Sequence, residues 1–180
     1  IHLRREAAVN DRMAHLIQMG RLAEAVLEGE RVPEGMDDSP FCGNLAVAWA
    51  GQDEWEAVES LARRAIGLEE RFALMWRALG ALSAARGDFV ASREQLRRSM
   101  GLLETGYTAW YLGETLFLEV NPGGAEIEFR KGEAVFARYY PPDMSIKSRI
   151  GDHLVERNFV ALLEHMGRPR EALEQYRRVL

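Results

Sequence analysis

The sequence repeats itself at an interval of thirty-four residues. Segment 53–70 aligns at this offset with segment 87–104, and the similarity continues on both sides of the two segments. The best matches by residue type are Trp55 with Phe89, Ala57 with Ala91, Arg63–Arg64 with Arg97–Arg98, Gly67 with Gly101, Leu68 with Leu102, and Trp76 with Trp110. A fixed period of this length indicates stacked structural units, because one such unit buries its apolar face only against its neighbours.

Each unit has the pattern of two helices. Segments 40–50 and 73–86 are apolar and rich in small residues, whereas segments 54–68 and 88–102 carry apolar residues at three- and four-residue spacing. Gly51 and Gly87 mark the turns between the two kinds of segment, since glycine accepts the backbone angles of tight connections. No segment alternates as a strand does. The sequence therefore predicts an all-α fold.

The unit at 73–106 resembles the tetratricopeptide repeat. Trp76, Leu79 and Gly80, followed by the turn Gly87-Asp88-Phe89, match the family pattern W-x2-L-G-x2-Y and the glycine before its second helix. The segments at 19–30 and 167–180 carry the same turn-plus-helix signature. The resemblance implies one array over 1–180, a right-handed superhelix of antiparallel helix pairs (a TPR-like α-solenoid). About five pairs are expected, near 6–33, 39–72, 73–106, 107–140 and 153–180.

Two stretches depart from the period. The run Asn121-Pro122-Gly123-Gly124 predicts a turn longer than usual, and the next turn signal appears only at Gly167. About a dozen extra residues therefore lie in between. Pro141 and Pro142 should end a helix, because the residue before a proline avoids helical angles. We expect an irregular insertion within 120–150, with a bent connection near 140–150.

Composition restricts the class of partner. The chain has 23 Lys and Arg against 28 Asp and Glu, a net charge of −5. Nucleic acids and anionic membranes need clustered positive charge, so neither is expected as a partner, and an RNA-reading repeat is disfavoured.

No apolar run approaches the roughly 20 residues that span a bilayer. The single Cys42 fits a reducing compartment, which predicts a cytoplasmic location. Because the chain starts at Ile1 and stops at Leu180 inside a helical pattern, we expect a fragment of a longer protein.

The sequence offers no catalytic, metal-binding or cofactor-binding set. His2, His15, His153 and His165 lack metal-ligand spacing. Cys42 falls on the buried side of a predicted helix and is interpreted as a small core residue. We therefore expect no enzymatic activity in this segment, no metal and no cofactor.

The resemblance also implies a binding groove lined by the first helix of each pair. Matching positions are Asn44, Val47, Arg77, Ala81, Tyr111, Thr115 and Arg157. Gly43, Val47 and Ala78 stand where members that bind chaperone tails carry Lys and Asn, so such tails are not the expected ligand. Arg77, Tyr111 and Arg157 have the chemistry to hold a carboxylate, a helix or an extended segment.

These features favour a non-catalytic scaffold that binds a protein or peptide segment in its concave groove. The alternative is a helical accessory domain of a larger bacterial enzyme such as a glycosyltransferase, with the groove covered by another part of the same chain. Self-association into a homo-oligomer also stays open. The recurring arginine pairs, such as Arg63–Arg64 and Arg97–Arg98, either form a basic stripe for an acidic partner or pair on the solvent face with Glu59 and Glu94.

Overall fold

The computed structural model describes residues 2–32, 39–50, 52–139 and 152–179, with side chains described over 8–32, 40–50, 52–138 and 159–177. Within these ranges all regular structure is helical, so the predicted all-α class is confirmed. The helices are α1 (His2–Gln18), α2 (Leu22–Gly29), α3 (Ser39–Ala50), α4 (Trp55–Leu68), α5 (Ala73–Ala85), α6 (Phe89–Leu102), α7 (Gly106–Leu118), α8 (Pro122–Tyr139), α9 (Asp152–His165) and α10 (Pro169–Val179). The predicted helices at 40–50, 54–68, 73–86 and 88–102 agree within one residue at each end.

The same backbone turn recurs between paired helices. One residue in each turn has left-handed backbone angles: Gly20 (φ 72°), Asp53 (60°), Gly87 (80°), Val120 (61°) and Gly167 (71°). The N–H of the next residue donates to a carbonyl five residues earlier, as from Asp88 to Ser83 and from Arg168 to Leu163. This Schellman arrangement satisfies carbonyls at the end of the first helix and reverses the chain. We call these five the turn residues.

The predicted long turn at Asn121–Gly124 is wrong. Val120 is the turn residue, and α8 begins at once with Pro122, which suits a first helical position because its missing N–H has no intrahelical partner there. The side chain of Asn121 accepts a hydrogen bond from the Gly124 N–H at 3.0 Å and so caps the helix. Asp53 likewise adopts the left-handed angles, and the predicted turn residue Gly51 lies outside the described residues.

The extra residues lie after Val120. Turn residues follow one another at intervals of 33 or 34 from Gly20 to Val120, but Gly167 comes 47 residues later. Part of this excess lengthens α8, which has 18 residues where α4 and α6 have 14 each. The predicted bent connection near 140–150, including Pro141 and Pro142, falls outside the described residues.

The helices form two compact units, 1–82 and 83–180. The core of the first unit is mainly aliphatic and includes Cys42, which is fully buried as expected. The core of the second is rich in aromatic residues, with Trp110, Phe129, Phe136 and Phe159 at its centre. Trp110 also donates its indole N–H to the carbonyl of Phe129 at 3.2 Å, which satisfies a polar group that would otherwise be buried alone.

Buried residues recur at two places in the repeats, and two pairs of these residues are seen in contact. The first set of positions lies eight residues before each of the last four turn residues, and its members are all buried: Leu45, Leu79, Leu112 and Phe159. The second set lies nine residues after each of the first four turn residues, and its members are also buried: Gly29, Ala62, Leu96 and Phe129. A Cβ on Gly29 would meet Leu45 Cδ1 at 2.7 Å, and the Phe159 and Phe129 rings stack at 5.2 Å. We call the first set anchor positions and the second set receiving positions.

An ion network ties α8 to α10 in the second unit. Arg168 donates to Glu126 at 2.6 Å and to Glu171 at 2.6 and 2.7 Å, while Arg130 donates to Glu126 at 2.8 Å and to Glu171 at 3.2 Å. The hydrogen bond from Arg168 lowers the pKa of Glu126, and that from the same guanidinium lowers the pKa of Glu171. Both carboxylates are thus held in their charged forms.

Replacing Val120 by glycine should stabilise the protein. A β-branched residue at positive φ is strained, and glycine relieves that strain; Val120 is 80% exposed, so no packing is lost. We expect Val120→Gly to raise the free energy of unfolding by about 1 kcal/mol in urea denaturation. The control Val90→Gly, at an exposed site inside α6, should lower it by roughly 0.5 kcal/mol. Equal losses in both variants would contradict the strain.

The Glu126 network should make stability depend on acid pH. Because the folded pKa lies below the unfolded value of about 4.5, this contribution is fully present above pH 4.5 and is lost as pH falls through the folded pKa. Glu126→Gln should therefore lower the thermal midpoint by a few degrees at pH 7, and the difference from wild type should shrink below pH 4. Glu164→Gln, at an exposed carboxylate on α9, should show no such convergence.

Candidate binding surfaces

The first helices of the first unit lie side by side. The Asn44 amide on α3 donates to the Asn10 side-chain oxygen on α1 at 2.8 Å. A Cβ on Gly43 would come 2.8 Å from the Phe72 ring, so the missing side chain brings α3 close to the start of α5. Helices α1, α3 and α5 therefore present neighbouring residues to any ligand on their outer side.

Four of the predicted groove residues belong to this unit. Val47 is 37% exposed, while Asn44, Arg77 and Ala81 are each partly buried. Val47 and Ala81 both stand six residues before a turn residue, so they occupy the same place in successive repeats. The structure thus keeps the predicted register of Val47 and Ala81 and leaves all four side chains at least partly accessible.

In the second unit, the structure contradicts one of the predicted groove residues. Thr115 is fully buried and cannot line a groove in this conformation. The prediction aligned Trp110 with Trp76, an offset of 34, but the turn residues Gly87 and Val120 are 33 apart. The residue six before Val120 is Glu114, whereas Thr115 takes the place of the buried Leu82. A shift of one residue rotates a helical side chain by about 100°, from the surface to the interior.

Of the other two predicted groove residues in this unit, the structure describes the side chain of one. Tyr111 is partly buried on α7. The side chain of Arg157 lies outside the described residues.

Thr115 belongs to a buried polar contact between α6 and α7. Its hydroxyl donates to the Tyr111 carbonyl at 2.8 Å and lies 2.9 Å from the Ser92 hydroxyl. A second pair of hydroxyls, Ser99 and Thr108, lies 3.4 Å apart in the same interface. Buried hydroxyls need such partners, because each one left unpaired destabilises the fold. The role of Thr115 is structural.

Sequence reasoning missed residues that the structure does place on the outer side of α7 and α9. Glu114 is partly exposed, and the rings of Phe117 and His165 meet edge to face with centroids 5.9 Å apart. Leu118, next to this contact, is exposed. The signal that would have found them is the position of the turn residue, from which all outward positions of a repeat follow.

Two of the recurring arginines have local partners in the structure. Arg63, Arg97, Arg130 and Arg177 each stand ten residues after a turn residue. Arg63 pairs with Glu59 at 2.6 Å, the solvent-face pairing considered above, and Arg130 pairs with Glu126 one turn earlier while lying 5.5 Å over the Phe159 ring. Among the residues that the structure describes, no group of three His, Cys, Asp or Glu side chains is placed to hold a metal ion.

Several solved structures share this fold, and one of them is described as a TPR protein. TTC0263, a thermophilic TPR protein of Thermus thermophilus, matches 97% of this chain over 90% of its own length, with 16% identity and a TM-score of 0.77. PilF of Pseudomonas aeruginosa matches 99% of this chain over 76% of its own, with 16% identity and a TM-score of 0.74. MamA from strain AMB-1 matches 97% over 90%, with 18% identity and a TM-score of 0.62.

These matches confirm the predicted all-α, tetratricopeptide-type solenoid fold. No protein-family model and no curated protein matches the sequence itself. Within the described part of the chain, no helix has the length and apolarity required to cross a membrane.

The buried role of Thr115 can be tested by a double-mutant cycle. Thr115→Val leaves the Ser92 hydroxyl without its partner and should lower the free energy of unfolding by about 2 kcal/mol. Adding Ser92→Ala removes the stranded group and should recover most of that loss in urea denaturation. Additive losses in the double variant would contradict the hydroxyl pair.

Proposed function

We propose that this chain is a non-catalytic scaffold that binds a protein or peptide segment on the outer face of its first helices. The observation that carries the proposal is the row of accessible side chains on the adjacent helices α3 and α5 of the first unit. This surface combines small or apolar residues, Val47 and Ala81, with polar ones, Asn44 and Arg77. The fold shared with known tetratricopeptide-repeat proteins supports an interaction role, since such repeats present extended binding surfaces.

The composition of the surface indicates how a ligand would be held. Small side chains at Ala78 and Ala81 leave room for a bulky ligand residue, and Val47 offers an apolar contact. The Arg77 guanidinium has five N–H donors and binds carboxylates in a bidentate fashion. A segment with an acidic group beside an apolar residue is therefore the expected ligand. In the second unit, Tyr111 and, by the predicted register, Arg157 are proposed to contact a ligand as well.

The segment bound can come from another protein or from elsewhere in the parent chain. Both sources fit a surface of this chemistry, and in either case the proposed role is binding and not catalysis. The accessory-domain alternative differs only in the identity of the bound segment. A binding experiment on residues 1–180 alone separates the two.

We expect affinity enrichment from the source-cell extract to retain a partner on the wild-type chain. Arg77→Glu reverses the charge that would meet the ligand carboxylate and should reduce the recovered partner by roughly tenfold. Val47→Glu and Tyr111→Ala should weaken it as well. Recovery is measured by quantitative mass spectrometry, with circular dichroism confirming that each variant is folded.

The matched control is Arg71→Glu, the same charge change on an exposed turn outside α5. It should leave recovery unchanged. Equal loss from Arg71→Glu and Arg77→Glu would mean that net charge, and not this surface, governs binding. If the wild type enriches no partner, the segment that covers the surface belongs to the parent chain and the accessory-domain alternative takes over.

A further inference from the structure

We draw no further inference here: the strongest candidate, the exposed apolar patch of Val90, Leu118 and Val120 beside the Arg93–Glu119 ion pair in the second unit, carries none because nothing in the structure shows what covers it.

Discussion

The position of the left-handed turn residue is the constraint on which the repeat packing depends. It fixes the anchor eight residues before it and the receiving residue nine residues after it, so one residue of slippage would rotate both faces by about 100°. The Schellman hydrogen bonds are the same whether the turn residue is Gly87, Asp53 or Val120. A strained valine at this place shows that register matters more to the fold than the conformational preference of one residue.

The helices themselves were predictable because their apolar spacing and the glycine at Gly87 are local signals. The sequence did not show that the turn before α8 has a valine at its left-handed position, where glycine is the usual residue. Nothing in the residue type of Val120 indicates a positive φ, and the Asn-Pro-Gly-Gly run beside it carries stronger turn signals than the true turn. Those residues instead begin α8, since Asn121 caps it and Pro122 tolerates the first helical position.

The residues of the candidate surface were predictable only where successive turn residues are 34 residues apart. Val47 and Ala81 are separated by 34 residues, as are their turn residues, so the alignment by residue type gave them the correct place. In the next repeat the matching tryptophans, Trp76 and Trp110, fixed an offset that the backbone does not follow. Trp76 and Trp110 pack from different faces of their helices. Two residues of the same type therefore lie in different environments, and aligning them gives the wrong register. Thr115 consequently was assigned to a groove although it pairs with Ser92 inside.

The proposed α3–α5 face has small residues with an arginine and an asparagine, so much of its discrimination would come from hydrogen bonds whose partners must match. An apolar ligand side chain beside Val47 and Ala81 would add affinity by leaving water, and the Arg77 guanidinium would select a ligand that carries an acidic group.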